Sequence, residues 1–170
     1  GEGAYYAAYD GVVQAFDADG TRLYDYSARL IHTASAQASY ARGAGVQYIL
    51  TDGPWGAHCC YIVRDDGTLV GGAWQSLFPL FTVDGTGYYG FMTFEATPVY
   101  VEELGEEQYE WDRDSALYGV VDDTGNTVLP AQYETLTAVA DGRLLVREGE
   151  RQGVIDVAGE WLYQLDTARE

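Results

Sequence analysis

The residues that come closest to a chemical site in this sequence are His58, Cys59 and Cys60, which are consecutive. Imidazole and thiolate bind zinc, but a zinc site needs three or four ligands that converge on one ion. Neighbouring residues of an extended strand point to opposite faces, so these three need a further ligand such as His32 or Asp52. A Cys–His catalytic pair would likewise have to recruit His32. We therefore predict no metal, no cofactor and no catalytic residue.

The two cysteines are the only ones in the chain. Joining adjacent cysteines requires a strained local turn, so two reduced thiols are favoured. A disulfide between Cys59 and Cys60 is the alternative if the protein is exported.

Carboxylates are abundant: the chain has 27 Asp and Glu residues against nine arginines, no lysine, and a net charge of −18. Paired carboxylates hydrolyse glycosidic bonds, but this abundance makes pairs uninformative. Residues 102–114 hold seven acids and one arginine, which predicts a solvated loop. The charge disfavours binding to nucleic acid or to an anionic membrane. No apolar run approaches about 18 residues, so no segment is expected to span a bilayer.

Aromatic residues are the other candidates for function. Sugar rings stack on exposed aromatic faces and hydrogen-bond to neighbouring carboxylates, whereas packing in the core is the alternative use of a large ring. The candidate ligand-binding residues are the four tryptophans, Trp55, Trp74, Trp111 and Trp161. The 15 tyrosines suit half-buried strands or a stacking surface.

The elements that position these residues are predicted from turn chemistry. Asp-Gly, a strong hairpin signal, occurs six times between short runs rich in Val, Tyr, Phe, Leu and Thr. Residues 34–42 are rich in Ala and Ser without a sustained apolar stripe, which predicts a loop or a short helix. The pattern as a whole is typical of an all-β protein.

A weak repeat runs along the chain, with copies that begin at residues 14, 61, 90, 119 and 153. In each complete copy an aspartate opens a turn and a glycine in the left-handed conformation closes it. At residues 93 and 96, Thr and Ala replace that pair, so this turn must differ. The predicted structural turn residues are Asp17 with Gly20, Asp66 with Gly67, Asp122 with Gly125, and Asp156 with Gly159.

The copy at residue 119 continues in a specific way. Tyr118-Gly119 precedes the aspartate, and Leu129-Pro130 and then Tyr133 follow the turn. This stretch resembles the WG-repeat (KWG-repeat) family, in which Trp-Gly stands in the place of Tyr118-Gly119. The resemblance is good over residues 118–162, although Gln152-Gly153 departs from the pattern in the last copy. It implies an all-β module of a bacterial protein, often exported or attached to the envelope, without a common catalytic residue.

We therefore expect an all-β fold of antiparallel hairpins in a stacked meander, an irregular repeat similar to a solenoid. Residues 1–81 form a diverged β region and 82–170 hold the WG-like repeats, or 1–170 form one continuous domain. The expected function is a non-enzymatic binding or scaffolding module of a bacterial envelope or secreted protein, with a protein or glycan as partner. The alternative is a carbohydrate-binding or carbohydrate-active domain that uses surface aromatics and carboxylates.

Overall fold

The computed structural model of the protein describes residues 4–54 and 57–165, which form fifteen strands and no helix. The strands are β1 Tyr5–Tyr9, β2 Val12–Asp17, β3 Gly20–Tyr24, β4 Leu30–Ala34, β5 Ser39–Arg42, β6 Tyr48–Asp52, β7 Cys59–Val63, β8 Ser76–Val83, β9 Thr86–Val101, β10 Glu106–Asp122, β11 Thr127–Tyr133, β12 Thr135–Ala140, β13 Arg143–Glu148, β14 Arg151–Asp156 and β15 Trp161–Leu165. Within these residues there is no helix long and apolar enough to cross a membrane.

The strands form four sheets, each a meander of consecutive antiparallel strands: β1–β4, β5–β7, β8–β11 and β12–β15. We call them the first to fourth sheets in chain order. In the second sheet the fourth strand is replaced by an irregular segment, held by isolated bridges from Val63 to Leu69 and from Cys60 to Trp74. The predicted all-β fold of antiparallel hairpins is thus confirmed.

Three hydrophobic cores lie between successive sheets. Val12 and Leu23 of the first sheet pack with Tyr48, Leu50 and Val63 of the second. The second core joins the second and third sheets, and its buried residues include Ile49, Ile62, Tyr89, Phe91 and Val121. The third core joins the third and fourth sheets, and its buried residues include Val120, Leu129, Tyr133, Leu144 and Ile155. The sheets are therefore stacked in chain order.

The two inner sheets are buried on both faces, and their sequences show it. Tyr48, Ile49 and Leu50 are all buried, because Ile49 enters one core and its two neighbours enter the other. Val120 and Val121 divide between the cores on either side of β10 in the same way. A sheet covered on both faces requires continuous apolar runs, whereas a sheet covered on one face requires only alternation.

A five-residue turn recurs at one place in the architecture, after the third strand of every sheet. In each turn the N–H of the first residue donates to the carbonyl of the fifth at 2.9–3.0 Å, and the N–H of the fourth donates back to the first at 2.9–3.1 Å. The fourth residue has a left-handed φ, which glycine adopts without strain. The turns span 25–29, 64–68, 122–126 and 156–160, with Ala28, Gly67, Gly125 and Gly159 as fourth residues.

Carboxylates hold these turns closed. Oδ1 of Asp122 accepts hydrogen bonds from the N–H groups of Thr124 and Asn126 at 2.9 and 3.1 Å. Asp156 makes the same pair of bonds within its own turn. Asp66 holds the turn of the second sheet, where it accepts from the N–H of Thr68.

One of the proposed repeat copies is wrong, and another is a hairpin as predicted but lies at a different place in its sheet. Gly90 lies in the middle of β9, which continues to Val101 without the turn expected near residue 93. Asp17 and Gly20 do face each other across a turn, but it joins the second and third strands of the first sheet. The equivalent turn in this sheet begins at Asp25. Its sequence lacks the Asp–Gly pair of the other copies, because Ala28 occupies the position that glycine usually holds.

Two further expectations are corrected. Residues 34–42 contain the end of β4, a turn and β5 rather than a loop or short helix. Residues 102–114 were expected to form a solvated loop, but they form a tight turn followed by the start of β10. The strand forms here because aromatic residues alternate with acids along it. Phe81, at which the expected N-terminal region ends, lies inside β8. The division of the chain at this residue stays a prediction.

Candidate binding site

Strands β9 and β10 extend well beyond their neighbours in the third sheet. Strand β8 pairs with β9 only as far as Met92, and β11 pairs with β10 only from Tyr118 onward. Residues 94–101 and 106–112 therefore pair with each other alone among the named strands, and we call this two-stranded segment the arm. At its base the Gln75 amide bonds both the N–H and the carbonyl of Phe94.

The register gives the arm two different faces. Trp111 pairs with Ala96 and Tyr109 with Pro98, so these side chains share one face of the arm. The aromatic face is formed by Phe94, Ala96, Pro98, Tyr100, Glu107, Tyr109 and Trp111. The opposite face carries Glu95, Thr97, Val99, Val101, Glu106, Gln108, Glu110 and Asp112. One face is therefore largely apolar and the other is acidic.

The rings of the aromatic face are substantially exposed. The exposed fraction is 62% for Tyr100, 41% for Tyr109 and 37% for Trp111. These side chains succeed one another along the arm, so they form a continuous strip. Contiguous apolar surface of this kind marks an interaction site more often than a single exposed ring does.

A cavity of about 290 Å³ opens where the arm meets the third sheet. Trp111 packs on Phe94 with ring centroids 4.8 Å apart, and Met92 and Tyr118 extend this apolar wall. Asp112 and Arg113 line the same cavity and supply its charged groups. An apolar wall with a few polar groups is the usual composition of a ligand pocket.

The polar side of the cavity is built by a bulge in β10. Between Asp112 and Leu117 the register shifts, so that residues 113–116 oppose a single residue of β9. The hydroxyl of Ser115 donates to the carbonyl of Asp112 at 2.6 Å and accepts from the N–H of Glu95 at 2.7 Å. The Asp112 carboxylate accepts from the N–H of Asp114 at 3.0 Å. The bulge is thereby fixed, and it brings Arg113 to the cavity.

The second sheet contributes to this site through His58, which precedes β7. Its ring meets that of Trp111 edge-on, with centroids 6.2 Å apart. Trp111 is thus held between Phe94 and His58 while more than a third of its surface stays open. A ring fixed in this way loses little side-chain entropy when it binds a ligand.

The other candidate tryptophans lie elsewhere. Trp74 is half-buried against the second core, and Trp161 is half-buried against the third core. The Arg151 guanidinium lies 4.2 Å above the ring centroid of Trp161 and covers it. Trp55 lies outside the described residues. The structure therefore does not bring the described tryptophans together, and Trp111 lines the cavity at the base of the arm.

The cysteines and histidines do not form a site with one another in the described part of the chain. Cys59 and Cys60 are free thiols on β7, and burial raises the pKa of Cys60. His32 lies in the first sheet, where its Nδ1 is 2.8 Å from the Tyr40 hydroxyl. Across residues 4–54 and 57–165 no group of three His, Cys, Asp or Glu side chains is arranged to hold a metal ion.

A second aromatic cleft, of about 330 Å³, lies on the outer face of the first sheet. Tyr6, Tyr24 and Tyr26 line it together with Val13 and Asp25. The carboxylate of Asp25 is already engaged in its own turn, bonded to Ser27 and Arg29. This cleft therefore offers aromatic surface without a charged group that is open to a ligand.

The chain matches no family model, no curated protein and no solved structure. The resemblance to WG repeats therefore stays a prediction.

Sequence reasoning proposed Trp111 as a candidate ligand-binding residue but did not associate it with the residues around it. Phe94, Tyr118 and His58 join the site through strand pairing and sheet stacking, which no local pattern reports. The arm itself did leave a signal: Phe94, Ala96, Pro98 and Tyr100 alternate with polar or β-branched residues, as do Tyr109 and Trp111. Alternation with a period of two predicts a strand even when half of its residues are acids.

Proposed function

We propose that this protein is a non-enzymatic binding module that holds its partner on the aromatic face of the arm. The observation that carries the proposal is the strip of exposed rings on the arm, which ends at the cavity beside Trp111. The resemblance to WG repeats supports the same role, in a bacterial envelope or secreted protein.

The arrangement of the arm supports binding rather than structure. None of the residues in the three cores belongs to residues 95–116. Contact of tyrosine and tryptophan rings with water is unfavourable, and burial of these rings against a partner removes that cost. Such rings contribute most of the binding energy at many interfaces. The arm thus carries aromatic surface that the fold itself does not use.

A carbohydrate is the second candidate partner, because the cavity combines stacking surface with polar groups. The ring of Trp111 lies beside Asp112 and Arg113, which hydrogen-bond well to hydroxyl groups. A volume of about 290 Å³ is near the lower limit of small-molecule pockets. It suits one sugar ring of a longer chain.

The test is a binding screen with a label at the N-terminal amine, which is a single site because the chain has no lysine. Wild type, Trp111→Ala and Tyr26→Ala are applied to a glycan array and to an array of short peptides. Tyr26→Ala is the matched control, since it removes an exposed ring from the second aromatic cleft. We expect one class of probe to bind wild type and Tyr26→Ala equally and Trp111→Ala about tenfold more weakly, which is about 1.4 kcal/mol.

Two results would count against the proposal. Binding that Trp111→Ala leaves unchanged, with the variant folded by circular dichroism, would place the site elsewhere. Catalytic turnover of a bound probe that a single substitution at the cavity abolishes would show an enzyme instead.

A further inference from the structure

We infer that the partner of the arm is an extended polypeptide segment in which cationic and apolar residues alternate, in the order cation, spacer, apolar residue, spacer, cation. This inference rests on the proposed function and names the chemistry of its partner. It is carried by the charge of the arm together with the spacing of its rings and carboxylates.

The charge of the arm selects a cationic partner. Residues 93–116, which comprise the arm, the turn at its tip and the bulge at its base, hold eight carboxylates and one guanidinium, and the whole chain has a net charge of −18. The carboxylates are those of Glu95, Glu102, Glu103, Glu106, Glu107, Glu110, Asp112 and Asp114, and the guanidinium is that of Arg113. Such a field raises the local concentration of cationic segments and repels anionic ones.

The two ends of the aromatic face each offer a ring to a cation. At the outer end Glu107 pairs directly with Tyr100 across the strands, and at the base Trp111 lines the cavity with 37% of its surface exposed. A ring face binds a guanidinium or ammonium group by a cation–π contact, and the Glu107 carboxylate adds an ion pair at the outer end. Each end is therefore a place for one cation.

The spacing between the two ends fixes the spacing in the partner. Glu107 and Trp111 are four residues apart on β10, a distance of about 13 Å in a strand. An extended segment that runs along the arm spans the same distance with four residues. Between the ends lies the Tyr109–Pro98 pair, which offers apolar surface to the residue midway between the two cations.

Other occupants fit this surface less well. A second copy of the chain would bring a second arm of the same negative charge against the first, and an anionic ligand would meet the same repulsion. A neutral glycan would use the rings without using the carboxylates. The aromatic face and its charge together favour the cationic segment.

The experiment measures the Kd of three short peptides by isothermal titration calorimetry with the whole chain. The first has the sequence Arg-Ser-Pro-Ser-Arg-Ser-Pro-Ser-Arg. The second has Gln in place of each Arg, and the third has Ser in place of each Pro. We expect the first to bind at least tenfold more tightly than either of the others, because the second peptide loses the cation–π contacts and ion pairs and the third loses the burial of the proline rings.

Variants of the protein localise the binding. Glu107→Gln should weaken the first peptide about threefold to fivefold, as the loss of an exposed ion pair does, and Trp111→Ala about tenfold. Glu150→Gln is the matched control, a change of the same charge at an exposed residue of the turn between β13 and β14, and should leave the Kd unchanged. Arg113→Gln should tighten binding, because it removes a cation from the cavity.

The outcomes separate the inference from the proposed function. If the Gln peptide binds as tightly as the Arg peptide and Trp111→Ala weakens both, the cationic partner is overturned and the binding module stands. If only glycans respond to Trp111→Ala, the partner class is overturned in favour of carbohydrate. If Glu150→Gln weakens binding as much as Glu107→Gln, the attraction is a property of the net charge and the inference fails. If neither peptides nor glycans respond to Trp111→Ala, both the inference and the proposed function fail.

Discussion

Gly153 lies so close to β15 that its backbone has no room for a side chain. A Cβ built on it would lie 2.1 Å from the carbonyl oxygen of Tyr163. Gly119 has the same relation to β11, where a Cβ would meet the carbonyl of Leu129 at 2.6 Å. The glycine of the Tyr-Gly and Gln-Gly pairs therefore allows the third and fourth strands of a sheet to approach each other.

Gly153→Ala is expected to lower the free energy of unfolding by about 1–3 kcal/mol, since the obstructing atoms are backbone and cannot rotate away. Urea denaturation measures the change. Gly71→Ala is the matched control, because a Cβ at Gly71 meets nothing within 4 Å. Equal stability of the two variants would show that the strands shift apart without cost.

Ala28 occupies the position that glycine holds in the other three recurrent turns, at a φ of 63°. A left-handed conformation strains alanine by about 1–2 kcal/mol, and glycine removes this strain while adding some entropy to the unfolded chain. Ala28→Gly should therefore raise the free energy of unfolding by up to about 1 kcal/mol. Thermal unfolding is the measurement, and a lower midpoint in the variant would contradict this account of the turn.

Asp25 makes the stability of the first turn depend on pH. Hydrogen bonds from the backbone of Arg29 and from the hydroxyl of Ser27 lower the pKa of Asp25 to about 2. Because the pKa is lower in the folded chain than in the unfolded chain, where it is about 4, ionisation stabilises the fold above pH 4. This stabilisation is lost as the pH falls toward 2.

Asp25→Asn keeps an acceptor oxygen and removes the charge, so it isolates this effect. The variant should be less stable than wild type at pH 6, and the difference should shrink between pH 4 and pH 2. Urea midpoints across this range measure it, with Glu150→Gln as a control of equal charge change. A difference that stays constant with pH would mean that the charge has no part in closing the turn.

The arm does not contribute to the packing between the stacked sheets. Its residues belong to none of the three cores, and the paired body of the third sheet ends at Phe94, where the Gln75 amide bonds the backbone. An isolated two-stranded hairpin is marginally stable by itself. The arm therefore depends on the sheet, whereas the sheet does not depend on the arm.

Replacing residues 95–115 by Asn-Gly, the preferred two-residue hairpin turn, tests this independence. The shortened protein should keep its β-sheet circular dichroism and unfold within a few degrees of wild type, because no buried residue is removed. It should also lose the binding that Trp111→Ala weakens. Failure of the shortened chain to fold would show that the arm is part of the structural core.

Prediction from the sequence succeeded for hairpin turns and failed where an element departs from the common pattern. The pairs Asp122 with Gly125 and Asp156 with Gly159 carry the turn geometry in their own residue types. At Asp25 the same geometry is reached with alanine, so the pattern was invisible. Acids hid the start of β10, since a charged strand lacks the apolar run by which strands are recognised.

At the scale of the whole molecule, stacking of the sheets was foreseen in general but not in detail. The continuous apolar run of β6 predicts a strand buried on both faces, yet only the structure shows which sheet lies on each side. The same holds for the site, where Trp111 stood out as a large ring and its neighbours came from other parts of the chain. Contacts between distant segments have no local signature in one sequence.

The net charge of −18 governs how the whole molecule responds to salt. Carboxylates repel one another more in the compact state than in the expanded unfolded chain, so screening favours the folded state. The Debye length falls from about 30 Å at 0.01 M salt to about 8 Å at 0.15 M, which is enough to screen charges across a sheet. The thermal midpoint should therefore rise by several degrees between these ionic strengths, as scanning calorimetry measures.

The same salt should weaken the binding of the Arg peptide, because attraction to the arm is screened together with repulsion within the chain. Stability and affinity are thus expected to change in opposite directions over one range of ionic strength. The Gln peptide is the control for binding, because it lacks the arginine charges whose attraction salt would screen. A neutral osmolyte is the control for stability, because it does not screen charge. A midpoint that falls or stays level as salt rises would show that the carboxylates are distributed so widely that their repulsion does not limit stability.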